Sequence, residues 1–165
     1  PAGLDRIQTR KLILQCEANH TLDHMVPAAE TVTDLYNKTY DRPAATKLAK
    51  SLGFNSVYHA IFAKKKSSLP PAIPIELHAV SIGDAAFVLA PYEMFDTNGM
   101  EIKQSSPFAS TFVLTCSNAD YDYIPSALGF DHGGYSADSC HFLPGTGEKL
   151  AQAFVDLLRD LNSGA

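Results

Sequence analysis

Glu93 and Tyr123 carry oxygens of the kind that hold a divalent metal or move a proton, and each falls where an apolar run gives out. The two segments are Ala90-Pro91-Tyr92-Glu93 and Cys116-Ser117-Asn118-Ala119-Asp120-Tyr121-Asp122-Tyr123. In open α/β sheets ligands bind outside the carboxyl ends of strands, so these are the first places to look for a site. Each also has a plain structural reading. A carboxylate at Glu93 in the first turn of a following helix is favoured by the helix dipole, and alternating tyrosines and aspartates serve packing and turn chemistry. His20 and His24 stand four apart, a spacing that on a helix would put two imidazoles on one face for a metal. Pro27 and the lack of apolar periodicity around them argue against that helix. His132 and His141 lie in an irregular stretch and are candidates for a site, whereas His59 and His78 fall inside element patterns. Cys140 beside His141 would pair a thiol with a base, yet neighbours in an extended segment face opposite sides. Cys140 with His132 leaves a third idea, a self-contained hydrolase sensitive to thiol alkylation. Pro144-Gly145-Thr146-Gly147-Glu148 lacks the lysine and hydroxyl spacing of a phosphate loop, so Gly145 or Thr146 reads as a helix start.

The elements that must position these groups divide at Ser67-Ser68-Leu69-Pro70-Pro71-Ala72-Ile73-Pro74. Before it, residues 7–14 read as a strand, and 27–40, 43–52 and 55–66 as helices, the last with Tyr58, Ile61 and Phe62 as its buried stripe. After it, 75–82, a Gly83-Asp84 turn and 85–90 read as a hairpin with a buried second strand. Residues 93–104 read as a helix and 111–116 as another strand, so strand, helix and strand make a βαβ unit. Residues 117–145 show little periodicity, and long irregular stretches in compact domains are often functional. Residues 146–161 carry Leu150, Phe154, Leu157, Leu158 and Leu161 at helical spacing. The fold class expected is α/β, a mixed sheet flanked by helices and the later part of a larger α/β domain.

Length and composition set the outer bounds. One domain with one core suits 165 residues. Hydrophobic residues make up 45 % and charged residues 19 %, which excludes a disordered chain and leaves an under-charged surface with room for an interface. A net charge of −5 argues against a nucleic-acid partner, and Lys64-Lys65-Lys66 reads as a solvated helix end. No apolar run is long enough for a transmembrane segment. Cys16, Cys116 and Cys140 are odd in number and widely spaced, which suits reduced, buried small hydrophobes. The chain opens Pro1-Ala2-Gly3-Leu4 without methionine, as a trimmed or cleaved product would.

Taken in order, several segments resemble the C-terminal part of the catalytic domain of the neutral, non-lysosomal ceramidase family and its prokaryotic relatives. Residues 82–93, ending Pro91-Tyr92-Glu93, resemble that family's strand pair closing on Pro-Gly-Glu. Residues 111–117 with Asn118 and Tyr123-Ile124-Pro125-Ser126 resemble its next strand and Asn-containing tyrosine loop. Gly133-Gly134-Tyr135 and Pro144-Gly145-Thr146-Gly147-Glu148 resemble the motifs before the terminal helix, so the match spans roughly 75–161. The resemblance implies a zinc amidohydrolase acting on an N-acyl, lipid-type amide through zinc-activated water. It implies Glu93 and Tyr123 as metal ligands, Tyr135 as the hydrogen-bond donor at the reacting carbonyl, and two histidine ligands from an upstream segment or second chain. Tyr92 stands where the family has glycine, and Asp120 where it has tyrosine. The competing expectation is a non-catalytic α/β binding or interaction module that has lost the upstream ligands.

Overall fold

The computed structural model describes residues 7–164, so the Pro1–Leu4 start lies outside the described residues. Period-two patterning builds a four-stranded sheet from β1 (Ile7–Glu17), β2 (Ala72–Ile82), β3 (Ala85–Leu89) and β5 (Ser110–Leu114), in the order β1-β2-β3-β5. The first two pairings are antiparallel and β3 runs parallel to β5, across the connection that contains α4 (Asp96–Ser105). The fold is therefore α/β, a mixed sheet flanked by helices, as the alternation predicts. Ile75, Leu77 and Ala79 of β2 and Ala86 and Val88 of β3 turn inward. They meet α7 (Thr146–Ser163), whose Leu150, Phe154, Leu157, Leu158 and Leu161 are all buried. Each such side chain contributes about 1.5–3 kcal/mol on leaving water, which ties α7 to the sheet. In-register partners share a sheet face, and on the opposite face Ile7, Ile13, Phe112 and Leu114 stay exposed, with Phe87 stacked on Phe112 at 5.0 Å. No described helix is long and apolar enough to cross a membrane.

Buried residues form two clusters rather than the one core expected. The second lies among α1 (Val26–Thr39), α2 (Arg42–Ser51) and α3 (Val57–Lys66) and centres on Ala29, Val32, Ala45, Ala49, Phe54 and Val57. Helix starts follow capping chemistry: Asp41 accepts from the amide of Ala44 at 2.9 Å, and Ser56 from that of His59 at 3.0 Å. The deepest stripe of α3 is Val57, Ala60, Ala63 and Lys66, one position away from the one expected; Tyr58 and Ile61 pack at its margin. Small alanines let the helices approach closely, and this moves the buried line off the larger side chains. Lys66 is correspondingly only 4 % exposed, so the lysine run is not a freely solvated end.

Two further expectations change. Residues 93–104 are not one helix: Glu93–Met94 is a short strand, β4, and α4 starts only at Asp96. Pairing of β4 with β6 (Tyr123–Ile124) outcompetes the helical start, and Asp96 takes the first-turn position that suits a carboxylate. The stretch 117–145 is also more ordered than its composition suggests, holding β6, α5 (Ala127–His132) and α6 (Tyr135–Ser139).

Candidate functional site

The segments after β3 and β5 clasp each other through their backbones. Ala90 donates to Leu114 at 2.8 Å, Ser117 to Ala90 at 2.9 Å, Cys116 to Tyr92 at 3.2 Å, Tyr121 to Pro91 at 2.9 Å and Glu93 to Asp122 at 3.0 Å. The clasp ends in the parallel β4–β6 pair, where Glu93 lies directly across from Tyr123. Side chains of in-register partners share a face, so a carboxylate and a phenol are delivered side by side. Tyr123 lies beside the Glu93 carboxylate, whose hydrogen-bonding capacity and negative charge hold the phenol above its ordinary pKa. Losing the proton would remove the donor and leave two anions together.

Tyr135 arrives by another route. Ser126 caps α5 by accepting from Gly129 at 3.2 Å, and the chain then reverses at Gly133 and Gly134, with φ of +70° and +90°. Side chains rarely adopt those angles, so the glycine pair permits the turn that brings α6 back. The Tyr135 ring meets that of Tyr123 edge-on at 6.2 Å and is 58 % exposed. Glu93, Tyr123 and Tyr135 thus come together at the strand ends.

The loop leading into β6 is held in an unusual backbone conformation. Cys116, Asn118 and Asp122 have φ of +51°, +70° and +60°. Asn and Asp tolerate that region better than most residues, and such strain clusters at functional sites. Asp120, the position occupied by tyrosine in the ceramidase motif, accepts from the Asp122 amide at 3.0 Å and so shapes the loop. Tyr92, the other departure, is fully buried in the sheet core. Its ring packs into the core, whereas Glu93 is only half-buried.

Other candidates fall elsewhere. His20 Nδ1 contacts Asp23 at 2.9 Å and lies outside the three-residue 3-10 turn Asp23–Met25 that contains His24, so the two histidines do not share a helical face. His132 is exposed, whereas Cys140 is wholly buried, with its thiol pushed up to about 11 by burial. A hidden, protonated thiol is a poor nucleophile, and the Cys140–His132 hydrolase is set aside. His141 is half-buried, with Nε2 3.5 Å from Asp122, and burial holds its imidazole below the ordinary pKa. Cys116, expected to be buried, is exposed; partial desolvation, followed by the charges of Asp120 and Glu93, raises its pKa. Its place at the end of the expected strand 111–116 was the available sequence signal for this group. No such signal marked Phe62, whose ring contacts Tyr135 at 5.6 Å.

Zinc asks for three protein ligands in a catalytic centre. Glu93 and Tyr123 supply two oxygens, and among the described residues no group of three or more His, Cys, Asp and Glu side chains is placed to hold a metal ion. The described chain by itself does not make a zinc centre.

Comparison with known proteins now bears on this geometry. No protein-family model matches the sequence, and no curated protein matches it. Among solved structures, a ceramidase complexed with C2 matches at a TM-score of 0.50 and 22 % identity, over 57 % of this chain and 15 % of that one. The neutral ceramidase from Pseudomonas aeruginosa matches at 0.50 and 22 %, over 57 % and 16 %. Over that part the fold is ceramidase-like. This chain spans about one sixth of the length of those ceramidase chains.

Proposed function

We propose that this chain is the later part of a ceramidase-like zinc amidohydrolase that cleaves an N-acyl amide, with a lipid amide as substrate class. The carrying observation is the side-by-side delivery of Glu93 and Tyr123 by the β4–β6 pair with Tyr135 against them. In this reading Glu93 and Tyr123 are two of the metal's ligands, and nitrogen donors from an upstream segment or a second chain complete the set. When bound, zinc supplies Lewis acidity at the scissile carbonyl. Tyr135 donates its hydroxyl proton in a hydrogen bond to the oxygen on which negative charge develops, a role that needs the exposure it has. The same upstream part covers the sheet face that carries Ile7, Ile13, Phe112 and Leu114, which accounts for the low charge of the surface.

The test uses the intact protein with stoichiometric zinc and an acyl-amide cleavage assay. Glu93→Gln keeps the shape but weakens the ligand, and loss of most activity together with weakened zinc retention is the expected result. Unchanged turnover in Glu93→Gln overturns the ligand assignment, and absence of cleavage by the zinc-loaded parent protein overturns the enzyme reading in favour of the non-catalytic binding module.

A further inference from the structure

The first part of the chain matched no motif, yet one face of α3 touches both loops of the candidate site. Phe62 meets the Tyr135 ring edge-on at 5.6 Å, with planes 77° apart. Lys65 Nζ lies 3.6 Å from the Asp122 carboxylate, one residue before Tyr123. Lys66 Nζ donates to the Asp138 carbonyl at 2.9 Å, and His59 Nε2 lies 3.9 Å from the Asp138 side chain. Positions 59, 62 and 66 share a helical face, so these contacts are one docking surface.

Lys66 carries the weight of this argument because a lysine is almost never buried without a reason. Asp138 is next to the last residue of α6, where helix carbonyls lack partners within the helix. An ammonium there satisfies an orphan oxygen and complements the negative end of the helix dipole. A five-residue helix has little stability of its own, so its placement depends on such outside contacts. Tyr135 opens that helix and is largely exposed, and the edge-on rings of Phe62 and Tyr123 are what limit its swing.

We propose that Phe62 and Lys66 are positioning residues for Tyr135: Lys66 fixes α6, and Phe62 sets the tyrosine ring so that its hydroxyl points at the reacting carbonyl. This rests on the reading of Tyr135 as the oxyanion donor. The helical first part of the chain is then a structural member of the site.

The test compares kcat and KM of the intact, zinc-loaded protein for an N-acyl amide across Phe62→Leu, Phe62→Tyr, Lys66→Met, Tyr135→Phe and the Phe62→Leu/Tyr135→Phe pair. Loss of the oxyanion donor in Tyr135→Phe costs about 10²–10³-fold in kcat. Misplacing it in Phe62→Leu costs roughly 10- to 100-fold in kcat with KM little changed, and Phe62→Tyr, which keeps the ring, restores the rate. In the Tyr135→Phe background Phe62→Leu adds nothing, because both act through one group. A fluorine label on the Tyr135 ring reads the contact without turnover; its resonance is expected to shift in Phe62→Leu and Lys66→Met, which covers any variant too unstable to assay. Equal losses in both backgrounds, or an unmoved fluorine resonance in folded variants, overturn the inference alone. An unimpaired Tyr135→Phe overturns the oxyanion role, and this inference with it.

Discussion

Replacing Gly147 by alanine separates two physical effects of opposite sign. Gly147 is the second residue of α7, and alanine is favoured over glycine inside a helix by about 1 kcal/mol, with less to gain in the first turn. Helix propensity alone therefore predicts a small stabilisation. Space predicts the reverse, since a Cβ at this position would stand 2.7 Å from the Pro125 carbonyl oxygen and would overlap the Asn98 amide nitrogen. The Pro125 oxygen belongs to the backbone and cannot rotate away, and Asn98 is itself buried. Overpacking of this kind costs about 1–3 kcal/mol, so the net expectation is a loss of about 1–2 kcal/mol. For a chain of this length that is a fall of several degrees in Tm, at about 2–4 °C per kcal/mol. Pro125 directly follows β6, so the strain is delivered to the strand that presents Tyr123. The α7 helix also holds the start of α5 there, where Glu148 accepts from the Ala127 amide at 2.7 Å.

Urea unfolding of Gly147→Ala, with Asn98→Ala and the double variant beside it, measures the balance. Removing the Asn98 side chain is expected to recover part of the loss, leaving the share imposed by the Pro125 oxygen. A Gly147→Ala protein as stable as the parent, or more so, would refute the steric argument and give the position to helix propensity.

Two other outcomes follow from burial and charge. A small maleimide is expected to label exposed Cys116 in the native protein while Cys16 and Cys140, both buried, react only on unfolding; native labelling of Cys140 would contradict the packing around His141. Burial holds His59 and His141 below the ordinary imidazole pKa, so the unfolded chain binds protons first as pH drops. Stability is therefore expected to be full above about pH 6.5 and to decline as pH falls below it, with His59→Gln flattening the slope of urea midpoints between pH 7.5 and 5.5. A midpoint that rises with acidification over that range would reverse the assignment.

Long periodic elements were legible in the sequence because their own residues decide them. The α7 stripe, the β2–β3 hairpin and the parallel β3–β5 pair all follow from period and turn chemistry. The terminal strand expected at 7–14 runs to Glu17, since pairing with β2 continues as far as Ala72. The placement of Glu93 was not legible. A carboxylate after Pro91 and before a helical pattern fits a helix start, and only a partner thirty residues away, Tyr123, makes it a strand. The α3 stripe slipped by one position for a related reason: side-chain size suggested Tyr58, Ile61 and Phe62, but closeness of helices selected the alanines. Long-range pairing and interhelical distance are properties of the assembled chain, and a local pattern does not contain them.

Tyr92 shows how a departure from a motif is read once side-chain direction is known. As a sequence difference beside Glu93, a tyrosine in place of glycine threatens to fill a pocket. In the structure the ring enters the core, where it is fully buried and its hydroxyl finds no protein hydrogen-bond partner. Burial drives its pKa far above the ordinary range, so it stays a neutral phenol and brings no charge to the site. Tyr92 is anchored in the core one residue before β4, and Glu93 opens β4 in register with Tyr123. The larger side chain therefore bears on the packing of the core beneath the site. Asp120 is the complementary case, since its oxygen holds the Asp122 amide and so sets the turn from which Tyr123 emerges. Neither change removes a donor from the Glu93, Tyr123 and Tyr135 cluster, and both act on the backbone that carries it.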